Sequence, residues 1–280
     1  MQPFAGAGQI SSVQANLPSR QSVDRAVEGS DHVVNCVGVL FEAGRNTFDA
    51  VQDFGARAVA EAARAAGAKL THISAIGADE KSASAYARTK GRGEAAVLRT
   101  IPDAVILRPS IVFGPEDGFF NKFATMARYA PALPLIGGGH TKFQPVYVAD
   151  VAEAVARSVD GTLARGRVYE LGGPEVLTFR QCLELMLRIV DRKNPLVSLP
   201  FAIASLIGSL ASLIPFIKPP LTADQVTLLR SDNIVSEAAH AEGRTLEGMG
   251  IAPVLAEAIL PSYLVRYRPQ GQFTKIDRTA

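Results

Sequence analysis

The segment Asp31-His-Val-Val-Asn-Cys-Val-Gly38 carries the strongest indication of the fold. Only Asn35 interrupts its apolar run between Val33 and Val37, and such a run is typical of a strand that is covered on both faces. Further strand candidates lie at residues 10–13, 69–75, 104–108, 143–148 and 167–171. Helical patterns occur between the earlier candidates, at residues 22–28, 47–66 and 83–99. This alternation predicts βαβ crossovers and therefore a parallel sheet.

The second half of the chain has a different pattern. Strand and helix candidates alternate up to about residue 160, whereas the residues from 178 onward are helical. We therefore predict an α/β fold in which a Rossmann-type parallel sheet precedes a mostly helical C-terminal lobe. The predicted boundary divides the chain into residues 1–175 and 176–280, and segments around 115–150 join the second lobe. Ligands of such sheets bind beyond the carboxyl ends of the strands.

The composition indicates a folded protein that does not bind nucleic acid. Of the 280 residues, 48% are hydrophobic, so burial of apolar surface can offset the entropy lost on folding. The formal net charge is only +2 and no basic block occurs, which argues against a nucleic-acid partner. Cys36 and Cys182 lie far apart in apolar runs, so we expect buried free thiols rather than a disulfide. The four histidines lack metal-ligand spacing, and we expect no metal site.

Tyr86 and Lys90 lie one helical turn apart, so a helix over residues 83–99 places both side chains on one face. An ammonium beside a phenol favours the phenolate, and we therefore expect Lys90 to lower the pKa of Tyr86. Ser74 ends a strand candidate, where its hydroxyl could bond a substrate oxygen. The three residues could then protonate a carbonyl, or deprotonate an alcohol, during hydride transfer. From the spacing alone, an exposed helix pair without chemistry is the simpler interpretation.

Five motifs in one order along the chain carry a family resemblance. They are Asp31-His-Val-Val-Asn-Cys-Val-Gly38, Ile73-Ser-Ala75, Tyr86-Ala-Arg-Thr-Lys90, Leu107-Arg-Pro-Ser-Ile-Val-Phe-Gly-Pro115 and Pro145-Val-Tyr-Val-Ala-Asp-Val-Ala152. In this order they resemble the extended and atypical short-chain dehydrogenase/reductase superfamily. The resemblance implies that Ser74, Tyr86 and Lys90 form the catalytic set. It also implies an NAD(P) site, formed by Asn16, Leu17, Asn35, Gly38, Ser74, Tyr86, Lys90, Arg108, Pro109 and Ser110.

Motifs in the C-terminal half narrow the resemblance to one branch. They are Tyr169-Glu-Leu-Gly-Gly-Pro-Glu175, Pro219-Pro-Leu-Thr-Ala-Asp-Gln-Val226, Leu228-Leu-Arg-Ser-Asp-Asn233 and Tyr263-Leu-Val-Arg-Tyr-Arg-Pro-Gln-Gly271. They are similar to the NAD(P)-binding accessory subunit of respiratory complex I, the ninth alpha-subcomplex subunit, and its bacterial relatives. This implies a docked accessory or assembly subunit that holds NADPH, rather than NADH, without turnover. It would lie in the bacterial cytoplasm at the inner membrane, or on the mitochondrial matrix side.

Two features depart from the superfamily pattern. The fingerprint Gly-x-x-Gly-x-x-Gly, whose glycines let the backbone approach a pyrophosphate at a helix N-terminus, is absent. Gly6 and Gly8 follow no strand and are interpreted as loop, and Gly137-Gly-Gly139 precedes a later strand and is interpreted as a turn. The interval from Ser74 to Tyr86 is 12 residues, which is short for catalytically active members.

The missing fingerprint has a consequence for the sheet. In the superfamily order, residues 10–13 correspond to the third strand, so we expect that the first two strands, roughly 50 residues, are missing. The strand at residues 31–39 then has a bare apolar edge. We expect either a gap beside it or a misplaced pairing of residues 10–13. We also expect weak nucleotide binding, because the pyrophosphate cradle is gone.

The segment 201–214 contains no charged residue and is too short for a bilayer span, which needs about 20 residues. Its apolar residues recur at helical spacing opposite serines, an unusual polar face for a solvent-exposed helix. Three interpretations remain open: a helix buried in the C-terminal lobe, an interfacial helix at a membrane, and a helix in a groove of a partner protein. The complex I resemblance favours the last two.

Three functions are compatible with these observations. The first is the NAD(P)-binding accessory or assembly subunit of a respiratory NADH:quinone oxidoreductase. The second is a free-standing NAD(P)-dependent reductase or epimerase, in which Tyr86 is the acid/base and Lys90 is its pKa-lowering partner. The third is a redox-sensing regulator that binds NAD(P) without chemistry.

Overall fold

The computed structural model describes residues 9–211 and 221–271 of the chain. Its strands are β1 (His32–Asn35), β2 (Lys69–Ile73), β3 (Val105–Pro109), β4 (Val112–Phe113), β5 (Leu133–Ile136), β6 (Lys142–Phe143), β7 (Val146–Tyr147), β8 (Val168–Leu171), β9 (Leu177–Thr178) and β10 (Leu196–Leu199). The central sheet has the order β1-β2-β3-β8, and all its neighbours are parallel. All four strands therefore end at one edge, which we call the carboxyl edge. The predicted α/β fold with a Rossmann-type parallel sheet is confirmed.

Helices surround this sheet and form most of the C-terminal lobe. They are α1 (Arg20–Val27), α2 (Gly55–Ala65), α3 (Ala85–Thr100), α4 (Phe120–Tyr129), α5 (Val148–Val159), α6 (Phe179–Ile189), α7 (Phe201–Ala211), α8 (Ala223–Leu228), α9 (Glu237–Ala241) and α10 (Ala256–Leu264). A π-helical segment, Asp49–Phe54, leads into α2. Short 3-10 turns occur at Gly137–Gly139, Glu247–Met249 and Val265–Tyr267. The turn predicted at Gly137–Gly139 is confirmed, and all three of its glycines have positive φ.

Both faces of the central sheet are covered, which explains its unbroken apolar runs. Ile106 packs into the core between the sheet and helices α2 and α3, together with Val97. Its neighbours Val105 and Leu107 pack on the opposite face with Ala154 of α5. Since successive side chains of a strand point to opposite faces, a strand covered on both sides is apolar at most of its positions.

A separate core holds the C-terminal lobe together. Phe120 of α4, Met186 of α6 and Leu260 of α10 are fully buried in it. Two short strand pairs extend this lobe: β5 lies parallel to β10, and β6 lies antiparallel to β9. Segments from before residue 150 therefore share a core with helices that follow residue 178.

The first strand is shorter than its apolar run. It ends at Asn35 because the Asn35 side chain accepts the backbone N–H of Val37 at 3.1 Å, a local bond that competes with strand pairing. Cys36 therefore lies beyond the strand and is exposed, so the prediction that its thiol is buried is wrong. Cys182 is buried as predicted, and both thiols are free.

The prediction of a strand at residues 10–13 is wrong. These residues have no ladder partner, and the side chains of Ile10 and Val13 are each 60% exposed. A strand needs a neighbour for its N–H and C=O groups, and among the described residues β1 has a neighbour on one side only. Of the two expected outcomes, a gap beside β1 or a misplaced pairing of residues 10–13, the described residues therefore show the gap. Gly6, Gly8, residues 212–214 and Pro219-Pro220 lie outside the described residues.

Helix α7 exposes apolar side chains. For the described residues, the interpretation that it is buried in the lobe is wrong: Phe201 packs against the core of the lobe, but Ile203, Leu206 and Ile207 point outward. Small residues, Ala204 and Gly208, form its buried face. A Cβ on Gly208 would lie 2.7 Å from the backbone nitrogen of Ala223, so only glycine lets α7 pack this closely on α8.

Candidate functional site

The carboxyl edge brings Lys90, Gly38 and the end of β2 together. Lys90 projects from α3, is only 5% exposed, and donates from Nζ to the carbonyl oxygen of Ile73 at 3.0 Å. A Cβ on Gly38 would lie 3.3 Å from Lys90 Nζ, so glycine leaves room for the ammonium under this loop. The structure therefore places two of the predicted nucleotide-binding residues in contact range.

Ser74 lies at the same edge, one residue beyond β2. Its backbone N–H donates to Leu107 at 2.7 Å, which holds the chain against β3. Its hydroxyl is buried, yet Ser74 Oγ has no hydrogen-bond partner among the described residues. Buried polar groups are normally bonded, so this hydroxyl fits a ligand oxygen bound at the carboxyl edge.

The protonation of Tyr86 and Lys90 differs from the prediction. Burial raises the pKa of Tyr86 to about 12, and burial lowers the pKa of Lys90 to about 8. The expectation that Lys90 lowers the pKa of Tyr86 is therefore wrong, because desolvation of the phenol dominates. The Tyr86 ring also meets the edge of Phe48, with centroids 5.9 Å apart. At neutral pH the phenol is a hydrogen-bond donor rather than a base.

The N-terminus of α3, just before Tyr86, is held by a carboxylate from the C-terminal lobe. Asp224 of α8 accepts from Ser84 Oγ at 2.9 Å, from the Ala85 N–H at 2.7 Å and from the Tyr86 N–H at 3.2 Å. The first N–H groups of a helix lack partners within the helix and attract negative charge, so Asp224 satisfies and stabilises this end. Its neighbour Gln225 donates to the carbonyl of Leu40 at 3.2 Å.

Asn233 connects a second C-terminal motif to the carboxyl edge. Ser110 Oγ donates toward Asn233 Oδ1 at 2.7 Å, and Asn233 Nδ2 donates to the carbonyl of Ile76 at 2.9 Å. Sequence reasoning assigned no role to Asp224, Gln225 or Asn233. Asp224 is 138 residues from Tyr86, and no local periodicity relates positions so far apart.

The other predicted nucleotide-binding residues have structural contacts. Arg108 donates to Glu94 with two nitrogens, at 2.9 and 2.6 Å, and Pro109 is buried at the end of β3. The backbone of Asn16 bonds the Ser22 hydroxyl. Leu17 is buried in the core beneath α1 and α2. Their contact with a nucleotide stays a prediction.

Asn35 supports the site through a buried histidine on the adjacent strand. Its side chain lies 3.0 Å from His72 Nδ1, and His72 Nε2 has no partner among the described residues. Asn35 Nδ2 is a donor, so Nδ1 is the accepting nitrogen of a neutral ring. Burial lowers the pKa of His72 to about 3, with a further lowering by the nearby Lys90 charge.

We expect His72 to make the protein acid-sensitive. The unfolded chain takes up this proton near pH 6.5 and the folded chain only near pH 3, so the stabilisation is complete above pH 6.5. It falls as pH drops, by about 1.4 kcal/mol per pH unit. Urea unfolding of wild type and His72→Gln between pH 7 and 4.5 measures this slope. The slope should shrink in His72→Gln and persist in the control His240→Gln, whose side chain is exposed; equal slopes in wild type and His72→Gln would contradict it.

Comparison with known proteins places this geometry in a family. Residues 7–189 match the model of the RmlD substrate binding domain, which is more than half of the chain. The chain belongs to this family. The matched region ends at the last residue of α6 and includes Ser74, Tyr86 and Lys90.

Individual relatives extend the similarity into the C-terminal lobe. The chain is 31% identical over 274 residues to the mitochondrial NADH dehydrogenase (ubiquinone) 1 alpha subcomplex subunit 9 of Arabidopsis thaliana, covering 94% of this chain and 67% of that protein. It is 32% identical over 263 residues to the Mus musculus subunit of the same name, covering 93% and 68%. The predicted resemblance to the short-chain dehydrogenase/reductase superfamily and to its complex I branch is confirmed.

A solved structure shares the fold at low sequence identity. It is the dTDP-glucose 4,6-dehydratase from Streptomyces venezuelae with NAD bound, with a TM-score of 0.67 and 18% identity. The match covers 90% of this chain and 77% of that one. The fold of this family member therefore also occurs in an enzyme that holds a nicotinamide nucleotide.

Proposed function

We propose that this chain is an NAD(P)-binding accessory or assembly subunit of a respiratory NADH:quinone oxidoreductase. One observation carries the proposal: the C-terminal motifs shared with the complex I branch are built into the site. Asp224 bonds the start of α3, Gln225 bonds the Leu40 loop, and Asn233 bonds the end of β3. The relatives that match almost the whole chain are named as subunits of this type of enzyme.

Purification from native membranes tests this role. NADH:quinone reductase activity and the subunits of the membrane complex should co-purify with the tagged chain. Less of this activity should co-purify with the Asp224→Ala variant, because α8 would lose its hydrogen bonds to the start of α3. The matched control is Asp232→Ala, since the exposed Asp232 side chain bonds, within the described part of the chain, only the backbone of Lys142. A chain that elutes alone, without membrane subunits, would exclude the accessory role.

The nucleotide part of the proposal depends on the residues at the carboxyl edge. Ser74, Tyr86 and Lys90 offer a hydroxyl, a protonated phenol and an ammonium, which suit a nicotinamide ribose or a carbonyl oxygen. A bound nicotinamide nucleotide would supply hydride. We propose NADPH rather than NADH, held weakly because the sequence lacks the glycine fingerprint.

Titration calorimetry with NADPH and NADH checks this part. We expect no saturation at micromolar NADPH, weaker heats with NADH, and a further loss in Lys90→Met. Tight micromolar binding of either nucleotide would contradict the weak-binding expectation, and equal binding of the two would contradict the preference for NADPH.

The chain lies at a membrane surface in this proposal, in the bacterial cytoplasm or on the mitochondrial matrix side. Each helix in the described ranges is too short or too polar to be a bilayer span, and the longest, α3, has 16 residues. The exposed apolar face of α7 supports a peripheral contact. Leu206 is 61% exposed on a helix without a charged residue, where burial in the interfacial region would be favourable.

We expect Leu206→Asp to abolish flotation of the chain with liposomes. A buried leucine contributes about 2 kcal/mol, and an aspartate in the apolar interfacial region adds a cost. The matched control is Leu255→Asp, which changes a similarly exposed leucine at the start of α10. If Leu206→Asp floats as well as wild type, α7 does not bind the membrane, and a partner protein is the remaining ligand for this face.

A second candidate function is an NAD(P)-dependent reductase or epimerase. The observation that favours it is the Ser74 hydroxyl, which has no hydrogen-bond partner among the described residues. It could bond a substrate carbonyl while the protonated Tyr86 donates to the same oxygen. Turnover of a model carbonyl compound, lost in Tyr86→Phe but retained in Tyr129→Phe, would support an enzyme. Absence of turnover at high NADPH would favour the accessory role.

A further inference from the structure

A cavity of about 340 Å³ lies at the opposite end of the sheet from the carboxyl edge. Three arginines line it: Arg157 at the end of α5, Arg167 just before β8, and Arg244 after α9. We call it the arginine cleft. Leu171, the last residue of β8, bonds Ser110 at the carboxyl edge, whereas the cleft is lined by Arg167, which directly precedes β8. Arg167 and Leu171 are four residues apart, which corresponds to about 13 Å along the strand.

The positive charge in the arginine cleft is only partly balanced. Arg244 Nε donates to Glu242 at 2.7 Å, and Arg167 Nη1 lies 3.6 Å from the same carboxylate. Arg157 Nε donates to Glu153 at 2.9 Å. In the described ranges, two carboxylates therefore pair with three guanidinium groups, and one of the carboxylates is shared.

Several guanidinium N–H groups have no protein acceptor within the described ranges. Arg157 Nη1 donates to the carbonyl of Met249, and Arg244 Nη1 donates to the carbonyl of Val168. The Arg167 guanidinium makes no hydrogen bond with a described residue, and this side chain is half-exposed. Each guanidinium has five N–H groups, arranged as a planar fork that matches the oxygens of a phosphate.

The residues that form the walls of the cleft are mostly buried or anchored by hydrogen bonds. Tyr169, Leu163 and Met249 line it and are buried, and Arg157 and Arg244 are anchored to backbone carbonyls. Two of the three guanidinium groups, those of Arg157 and Arg244, are therefore already positioned for an anion, which reduces the entropy lost on binding. The apolar walls beside the guanidinium groups suit a phosphate attached to an organic group.

We propose that the arginine cleft binds a phosphate-bearing compound, with the Arg167 guanidinium as its principal donor. A soluble phosphate compound and a phospholipid headgroup would use the same guanidinium contacts. The site is independent of the nucleotide site, because the two lie at opposite ends of the strands.

Calorimetric titration of the full chain with inorganic pyrophosphate tests the proposal. We expect saturable binding that weakens about tenfold in Arg167→Gln, since one charge-assisted contact is lost. Arg167→Lys should be intermediate, because it keeps the charge and loses the fork. The control is Arg165→Gln, which removes the same charge at a position two residues before Arg167. The Arg165 side chain lies outside the cleft and pairs with Asp103.

A vesicle arm separates the two sources of phosphate. Arg167-dependent flotation with phosphatidylcholine vesicles that contain phosphatidylglycerol, without pyrophosphate binding, identifies a lipid headgroup. Pyrophosphate binding with flotation that is independent of Arg167 identifies a soluble compound, since α7 is intact in every variant. The proposal is overturned if neither probe depends on Arg167, or if Arg165→Gln weakens binding as much as Arg167→Gln.

Discussion

Gly93→Ala should lower the free energy of unfolding by about 3 kcal/mol, at the upper end of the cost of overpacking. Gly93 lies in α3, where a Cβ would be 2.1 Å from the backbone oxygen of Gln52 and 3.2 Å from Ala56 Cβ. A backbone carbonyl cannot rotate away as a side chain can. The substitution therefore has to push α3 away from the segment that precedes α2.

The control for this prediction is Gly118→Ala. Gly118 has no positive φ, and nothing lies within 4 Å of the position of its Cβ. Alanine there should change the stability by less than about 0.5 kcal/mol, because it removes only backbone freedom. Urea unfolding at neutral pH measures both variants. Similar midpoints for Gly93→Ala and Gly118→Ala would show that α3 tolerates displacement.

Displacement of α3 should also reach the site. Tyr86 and Lys90 project from this helix, and Lys90 Nζ reaches the carbonyl of Ile73 only while α3 stays against the sheet. We therefore expect Gly93→Ala to lose residual NADPH binding even at temperatures where the chain remains folded.

Glu94→Ala should be the second severe substitution, with a loss of about 3 kcal/mol. Glu94 is 4% exposed and accepts two bonds from Arg108, whose guanidinium lies 3.6 Å from Glu170 as well. Removal of Glu94 leaves Arg108 partly buried with one distant carboxylate. The desolvation cost of the guanidinium is then no longer offset.

A paired substitution distinguishes loss of the ion pair from loss of packing. Arg108→Met combined with Glu94→Leu should cost less than Glu94→Ala alone, because no uncompensated charge remains. The exposed pair of Arg180 and Glu184 is the comparison, and Glu184→Gln should change stability by less than about 0.5 kcal/mol. Equal losses for Glu94→Ala and Glu184→Gln would contradict a structural role for this pair.

Part of the candidate site is predictable from local sequence. Ser74 follows an apolar strand run, and parallel strands end at a common edge, so its position near other strand ends follows from the fold class. Tyr86 and Lys90 share a helix face because four residues make about one turn. The positions of these residues thus depend on short-range geometry.

Other parts of the site depend on contacts between distant segments. The pKa of Tyr86 is raised and that of Lys90 is lowered by burial, which is a property of everything packed around them. Asp224 reaches the start of α3 because α8 lies against it, and Leu206 is exposed because the small residues of α7 face the lobe. No spacing rule applies to such contacts.

The amino-acid sequence alone predicts the parallel α/β sheet, the helix that carries Tyr86 and Lys90, and the family. These follow from periodicity and motif order, which local residue geometry imposes on the chain. The folded structure is needed to show that residues 10–13 form no strand, that burial raises the pKa of Tyr86, and that Asp224 holds its helix. Strand pairing, desolvation and long-range capping each require a partner from elsewhere in the chain, and the partner's position exists only after folding.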